Sequence, residues 1–239
     1  MNLILFEAGE IARPLPRTDA RAVHIIDVLR RTVGDAFDVG IVNGARGKAT
    51  VVGIAPESLA LRFAWGEPPT PLPALSVIIG LPRPQTARDL LRDGTSLGVT
   101  EFHFVRTEKG DPNYGQSTLW SSGEWRRLLI AGAEQAFDTR IPRVTSGHSV
   151  LEALATLPAE SVRIALDNYE SPAALSQCHV LAKTPVVVAL GAERGWSERE
   201  RRALREHGFR FAHLGSRVLR TETAAIAALA ILRAKQGLM

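Results

Sequence analysis

Hydrophobic positions follow two rhythms along the chain. Up to residue 65 they gather in the short β-like runs NLILFE, AFDVGIVN, GKATVVGI and SLALRFAW, separated by the Gly, Asn and Pro that punctuate turns. Such a series predicts a small β-barrel. One helix interrupts it around Ala20 to Arg31, where Val23, Ile26 and Val28 or Leu29 roughly keep helical spacing. From residue 75 the runs turn apolar throughout and alternate with helices: LSVIIG (75–80), EFHFV (101–105), VRIALD (162–167), PVVVALG (185–191) and FRFAHLG (209–215). Continuous apolar strands between helices predict a parallel sheet covered on both faces. Capping-box spacing at Ser121/Glu124, Ser149/Glu152 and Ser197/Glu200 marks three helix starts. A last, Ala-rich helix from about Thr223 to Lys235 places Ile226, Leu229 and Ala230 on one face.

Where the rhythm changes, GEPPTPLPA (66–74) carries Pro68, Pro69, Pro71 and Pro73. Fixed φ and missing N–H groups exclude helix and central strand, so this stretch reads as a stiff extended connector. The expected division is a barrel over 1–67, a linker over 68–74 and an α/β domain over 75–239. A length of 239 residues suits two unequal domains, and 45% hydrophobic with 23% charged residues argues for a soluble folded chain. The lone Cys178 has no disulfide partner, and six scattered histidines give no zinc spacing, so a reducing compartment and no metal are expected. No stretch is long and apolar enough to span a bilayer, and the start lacks a signal-peptide pattern, which makes the cytoplasm the expected address.

Charge changes the picture locally more than in sum, which is only +4. Arg13, Arg17, Arg21, Arg30 and Arg31 crowd residues 13–31 against Asp19 and Asp27, and residues 197–220 hold seven arginines against three glutamates. The planar guanidinium fork suits phosphate, so a polyanion such as RNA stands beside the plainer reading of a solvated surface.

In an open α/β sheet, ligands collect beyond the C-terminal ends of the strands. Three loops there are distinctive: LDNYESP (166–172), LGAERGWS (190–197) and LGSRVLRTETAA (214–225). In two of them a strand runs into Leu-Gly, a polar turn and a helix, with glycine allowing close backbone approach to a ligand. No G-x-G-x-x-G follows a strand, and neither a P-loop nor a G-x-S-x-G elbow occurs. What remains is chemistry in which a bound cofactor carries the reactive group and the protein positions it.

LGSRVLRTETAAIAAL (214–229) resembles the LG-x-R-[IV]-LR-x-ETA signature of the SPOUT-class methyltransferases that act on uridine N3 of 16S ribosomal RNA. LGAERGWSERE (190–200), GAEQAFDTRIPRV (132–144) and HIIDVLRRTVGDAF (24–37) are similar to three further blocks of that family, in the same order along nearly the whole chain. The resemblance implies a PUA-like barrel that binds RNA, followed by a parallel-sheet domain with a trefoil knot. It also implies S-adenosyl-L-methionine as cofactor, ribosomal RNA or the small ribosomal subunit as partner, and a homodimer. Carried over by motif, the cofactor residues are Leu166, Leu190, Gly191, Glu193, Gly195, Leu214, Gly215, Arg217, Val218, Leu219, Arg220, Thr223 and Ala224, with Glu222 in the same block. Arg220 and Arg140 are the candidates to stabilise charge on the reacting base, and Arg21, Arg30, Arg31 and Lys109 the candidates to bind RNA.

Some positions depart from the family pattern. Ala192 stands where relatives carry proline and Arg194 where they carry glycine; Asp138 replaces an arginine, and Asp93 and Ser96 replace a lysine and a glutamate. With the 214–225 block intact, these changes read as a retained cofactor pocket with altered substrate recognition. A retargeted enzyme, or a catalytically silent RNA-binding descendant, therefore stays open beside the uridine methyltransferase.

Overall fold

A computed structural model describes residues 3–239, so Met1 and Asn2, the latter the first residue of the NLILFE run, lie outside the described residues. By internal packing the chain separates into two units, residues 1–71 with 133–141, and residues 72–132 with 142–239.

The first unit is a curled five-stranded sheet. Its strands are β1 (Leu3–Phe6), β2 (Leu15–Pro16), β3 (Ala36–Ile41), β4 (Arg46–Ile54) and β5 (Ser58–Trp65), in the order β1-β3-β4-β5-β2. Alternation along the strands sends Phe37, Val39, Ala49, Val51 and Leu59 inward onto Ile4, Phe6 and Ile25. Here β1 and β3 run parallel, whereas β3, β4 and β5 are antiparallel, with a bulge in β4 between Val51 and Gly53. The helix α1 (Ala20–Val23) opens on the side chain of Asp19, which accepts the Arg21 N–H, and continues as a wider π turn over His24–Val28. It stops short of the expected Arg31 because Arg30 adopts a left-handed φ of 52°, which ends a right-handed helix. Ala133–Ile141, expected within the second domain, belongs to this unit. Its Thr139 hydroxyl donates to the Gly44 carbonyl at 2.6 Å, and the Asn43 N–H donates to the Thr139 carbonyl at 2.8 Å.

The second unit is a seven-stranded sheet, parallel throughout, in the order β10-β12-β9-β11-β6-β7-β8. Its strands are β6 (Leu75–Gly80), β7 (Glu101–Arg106), β8 (Arg143–Ser149), β9 (Val162–Leu166), β10 (Ala173–Ala174), β11 (Val186–Leu190) and β12 (Arg210–His213). The strands β6 and β11 are buried along their whole length, as their unbroken apolar runs require. The sequence pattern misses β8 and β10, because RVTSGHS and the two-residue β10 sit at sheet edges, where no apolar pattern is needed. The helices are α2 (Pro84–Ser96), α3 (Thr118–Ser121), α4 (Glu124–Gln135), α5 (Val150–Leu154), α6 (Glu198–Glu206) and α7 (Thr221–Lys235).

Capping boxes form at Ser149/Glu152 and Ser197/Glu200. The third does not: Ser121 closes α3, and the Ser122 hydroxyl instead accepts the Glu124 N–H at 3.4 Å. On α7 the inward face is Ala225, Ala228, Leu229 and Leu232, so Ile226 and Ala230 flank it rather than define it. Small alanines let this helix pack against α2. The buried Arg233 at its end donates to the carbonyls of Leu97, Pro73 and Gly98 and to the Gln236 side chain. Among the described residues no helix is long and apolar enough to cross a membrane, and no cluster of three or more His, Cys, Asp or Glu could hold a metal ion.

Candidate functional site

Because β12, β9 and β11 are neighbours in the sheet, their C-terminal loops meet. They enclose a crevice of about 850 Å³, counting the part open to solvent. From the loop after β9 come Leu166, Asp167, Asn168 and Tyr169; from the loop after β11, Leu190 through Gly195; from β12 and beyond, His213, Leu214, Arg217, Val218, Leu219, Thr221 and Ala224.

Each loop is pinned from beneath. Asp167 is buried, and its Oδ1 accepts the N–H groups of Tyr169 at 2.7 Å and Glu170 at 2.9 Å, while its Oδ2 accepts from Arg201 Nε at 2.7 Å. The loop after β11 folds back on itself: Gly195 N–H donates to the Ala192 carbonyl at 2.7 Å, with Gly195 at φ 67°. A Cβ on Gly191 would stand 2.8 Å from the Gly195 carbonyl carbon, so only glycine lets the two halves close this far. The turn thus forms with Ala192 buried at its base. Trp196, fully buried behind it, donates from Nε1 to the Leu166 carbonyl at 3.2 Å and ties two of the loops together. The Glu193 carboxylate accepts the Arg83 N–H at 3.1 Å. The third loop turns at Gly215, φ 114°, whose N–H donates to His213 Nδ1 at 3.0 Å.

Of the residues singled out in the sequence, Leu166, Leu190, Gly191, Glu193, Gly195, Leu214, Arg217, Val218, Leu219 and Ala224 come together in this lining. Gly215, Arg220 and Thr223 do not: Gly215 sits exposed in the turn of the third loop, Arg220 precedes the first turn of α7, and Thr223 faces solvent. Asp167 and Tyr169 of the LDNYESP loop and His213 of the FRFAHLG run also line the crevice, although none of the three is among the site residues named from the sequence. Their signal in the sequence is position, directly after a strand or at its end.

The arginines and the lysine nominated for charge and RNA divide sharply. Arg21 is clamped by Glu10 at 2.6 Å and Asp19 at 2.8 Å, with its guanidinium over the Phe6 ring, so it holds the fold and has no free fork for a phosphate. The Arg21 side-chain bonds in turn hold the carboxyls of Glu10 and Asp19 below their ordinary range, against the opposing effect of burial. Arg140 belongs to the first unit and is held by Asp138. Burial works to raise the Asp138 pKa, and the Arg140 bonds overcome it, leaving it lowered. Lys109 Nζ donates to the Trp196 carbonyl at 2.8 Å, an internal tie beneath the loop after β11. Asp93 and Ser96 are likewise occupied, by Arg92 and by the Gly132 carbonyl. Arg30 and Arg31 stay without a hydrogen-bonded carboxylate, and so do Arg194 and Arg217 in the crevice.

The lining suits an amphipathic ligand of nucleoside type. Leu166, Leu190, Leu214 and Leu219 give an apolar slot, Glu193 an acceptor for an ammonium, and Arg194 and Arg217 forks for a carboxylate or phosphate.

Comparison with known proteins agrees with this geometry. The family model of the RNA methyltransferase domain matches residues 68–233. A ribosomal RNA small subunit methyltransferase E from Treponema pallidum is 35% identical, over 98% of this chain and 91% of its own length. A methyltransferase E 1 from Borreliella burgdorferi is 28% identical, over 98% of both chains. Among solved structures, a putative methyltransferase from Legionella pneumophila in complex with the bound cofactor SAM has a TM-score of 0.83 at 22% identity, covering 98% of this chain and 97% of its own. A methyltransferase E from Neisseria gonorrhoeae bound to S-adenosyl methionine has a TM-score of 0.78 at 23% identity, covering 98% and 97%.

Proposed function

The chain belongs to the RNA methyltransferase family, and on that premise we propose that it methylates N3 of a uridine in small-subunit ribosomal RNA. It is an RNA methyltransferase dependent on S-adenosylmethionine, a cofactor that supplies an electrophilic methyl group on a sulfonium. The observation that carries the reading is the convergence of the glycine-hinged loops after β11 and β12, which bear the family signature, with the loop after β9 on one crevice.

In this reading Leu166, Leu190, Leu214 and Leu219 hold the apolar part of the cofactor, and Glu193, Arg194 and Arg217 its charged end. Uridine N3 is a weakly acidic imide and must shed its proton before it can act as a nucleophile. In the lining the second carboxylate oxygen of Glu193 accepts no hydrogen bond from the described residues and can take a proton, whereas His213, whose Nδ1 accepts the Gly215 N–H, presents Nε2 to the crevice as a donor when neutral. Arg220, next to the crevice in the chain, is the group assigned to offset charge on the deprotonated base; Arg140, bonded to Asp138 within the first unit, is not. The barrel contributes Arg30 and Arg31 to RNA affinity. A homodimer, the knotted threading of the chain end and a cytoplasmic address are part of the same proposal, supported by the motif resemblance.

Mass spectrometry of small-subunit ribosomal RNA from a deletion strain tests it. Loss of N3-methyluridine, restored by the wild-type gene, is expected; an unchanged signal rejects uridine N3 as the target.

A further inference from the structure

The crevice carries an aromatic ring that the cofactor loops do not account for. Tyr169 lines it and is 83% exposed, the most exposed large apolar side chain among the described residues. Exposed side chains are ordinarily loose, yet this one is fixed at its root. Its N–H and that of Glu170 both donate to the buried Asp167 carboxylate. The same carboxylate holds Arg201, whose guanidinium stands over the Tyr169 ring at 5.7 Å from the centroid, within reach of a cation–π contact. Glu170, 3.6 Å from Arg201, steadies the guanidinium further. One face of the ring is therefore backed by an anchored cation, and the other has no ring or cation against it.

A solvent-facing aromatic backed by an anchored cation on the lining of a crevice has the character of a single-strand nucleic-acid platform, on which a base stacks. The cofactor's own adenine is the poorer occupant: Leu166, Leu190, Leu214 and Leu219 of the same crevice are each less exposed than Tyr169 and offer it an apolar slot. We propose that Tyr169 is a substrate-binding residue on which a base of the RNA stacks as it enters the crevice. This rests on reading the crevice as a methyl-transfer site.

The test uses the full chain with small-subunit ribosomal RNA or the assembled subunit, whichever the wild-type protein methylates, alongside calorimetric titration with S-adenosylmethionine. Tyr169→Ala should lower kcat/KM for RNA on the order of tenfold to a hundredfold, while cofactor affinity and oligomeric state stay unchanged. Tyr169→Phe and Tyr169→Trp should restore most of the loss, and the phenylalanine variant should keep the wild-type pH profile, since stacking needs no hydroxyl. Loss of cofactor affinity in step with activity would assign the ring to the cofactor. A changed oligomeric state would assign it to a second copy of the chain, and unchanged RNA kinetics would remove it from RNA binding; each of these overturns the inference. Wild-type protein that transfers no methyl group to either RNA would instead reject the methyl-transfer reading, and the inference with it.

Discussion

Two sets of arginines, one in the barrel and one lining the crevice, differ in how their donors are met. In the barrel, Arg21 is consumed by two carboxylates and a phenyl ring, Arg140 by Asp138, and Arg46 by the carbonyl and ring of Phe137. In the crevice, Arg194 and Arg217 stand exposed with no such partner. Taking a guanidinium partly out of water is costly unless its donors are met, and for the partly buried Arg21 and Arg140 the fold itself meets them. Arg194 and Arg217 keep their donors free of any carboxylate in the proposed site. Partner supply, which a count of arginines along the chain does not reveal, separates cations held within the fold from cations left open to solvent.

The strongest way to break the contrast is to close the crevice. Gly191→Val places side-chain atoms against the Gly195 backbone and should cut S-adenosylmethionine affinity about a hundredfold or more, with the fold checked by circular dichroism. Gly215→Val meets open space but sits at φ 114°, so it should lose less, about tenfold, through strain in the turn. Equal losses would mean that both glycines act only through backbone conformation.

A second test exchanges the roles. Arg21→Ala strands Glu10 and Asp19, and should destabilise the protein by about 1–3 kcal/mol in chemical denaturation while leaving cofactor affinity intact. Arg217→Ala should do the reverse, weakening ligand binding with stability nearly unchanged. A stability loss in both would erase the distinction.

The smallest effect concerns a buried group of the parallel sheet, His103. His103 lies on β7 with Nδ1 3.0 Å from Thr145 Oγ1. Burial pushes its pKa below the ordinary value near 6.5; Glu101 opposes this, and His148 and Arg143 add to it. The fold thus favours neutral imidazole, so this contribution to stability is complete above pH 6.5 and is lost as pH falls through the lowered folded-state pKa. Denaturation curves from pH 8 to pH 5 should show the decline in wild type, and His103→Gln should flatten it.

Much of the crevice was legible because it is built from local stretches. Leu190, Gly191, Leu214 and Leu219 sit in motifs whose spacing survives in the linear chain, and the unbroken apolar runs of β6 and β11 announce a buried parallel sheet. Features that depend on distant partners were not legible. Nothing near Arg21 signals that Glu10 folds back to it, and nothing in GAEQAFDTRI shows that Ala133–Ile141 joins the barrel. Edge strands such as β8 escape for a related reason: half of their surroundings is water, which imposes no pattern.

The central claim is that the three loops form a binding site for the methyl donor, and titration of the purified chain with S-adenosylmethionine in a calorimeter tests it most directly. Saturable binding, one cofactor per crevice, abolished by Gly191→Val and untouched by Arg21→Ala, is the expected result. A folded wild-type protein that shows no binding at millimolar cofactor would contradict the account.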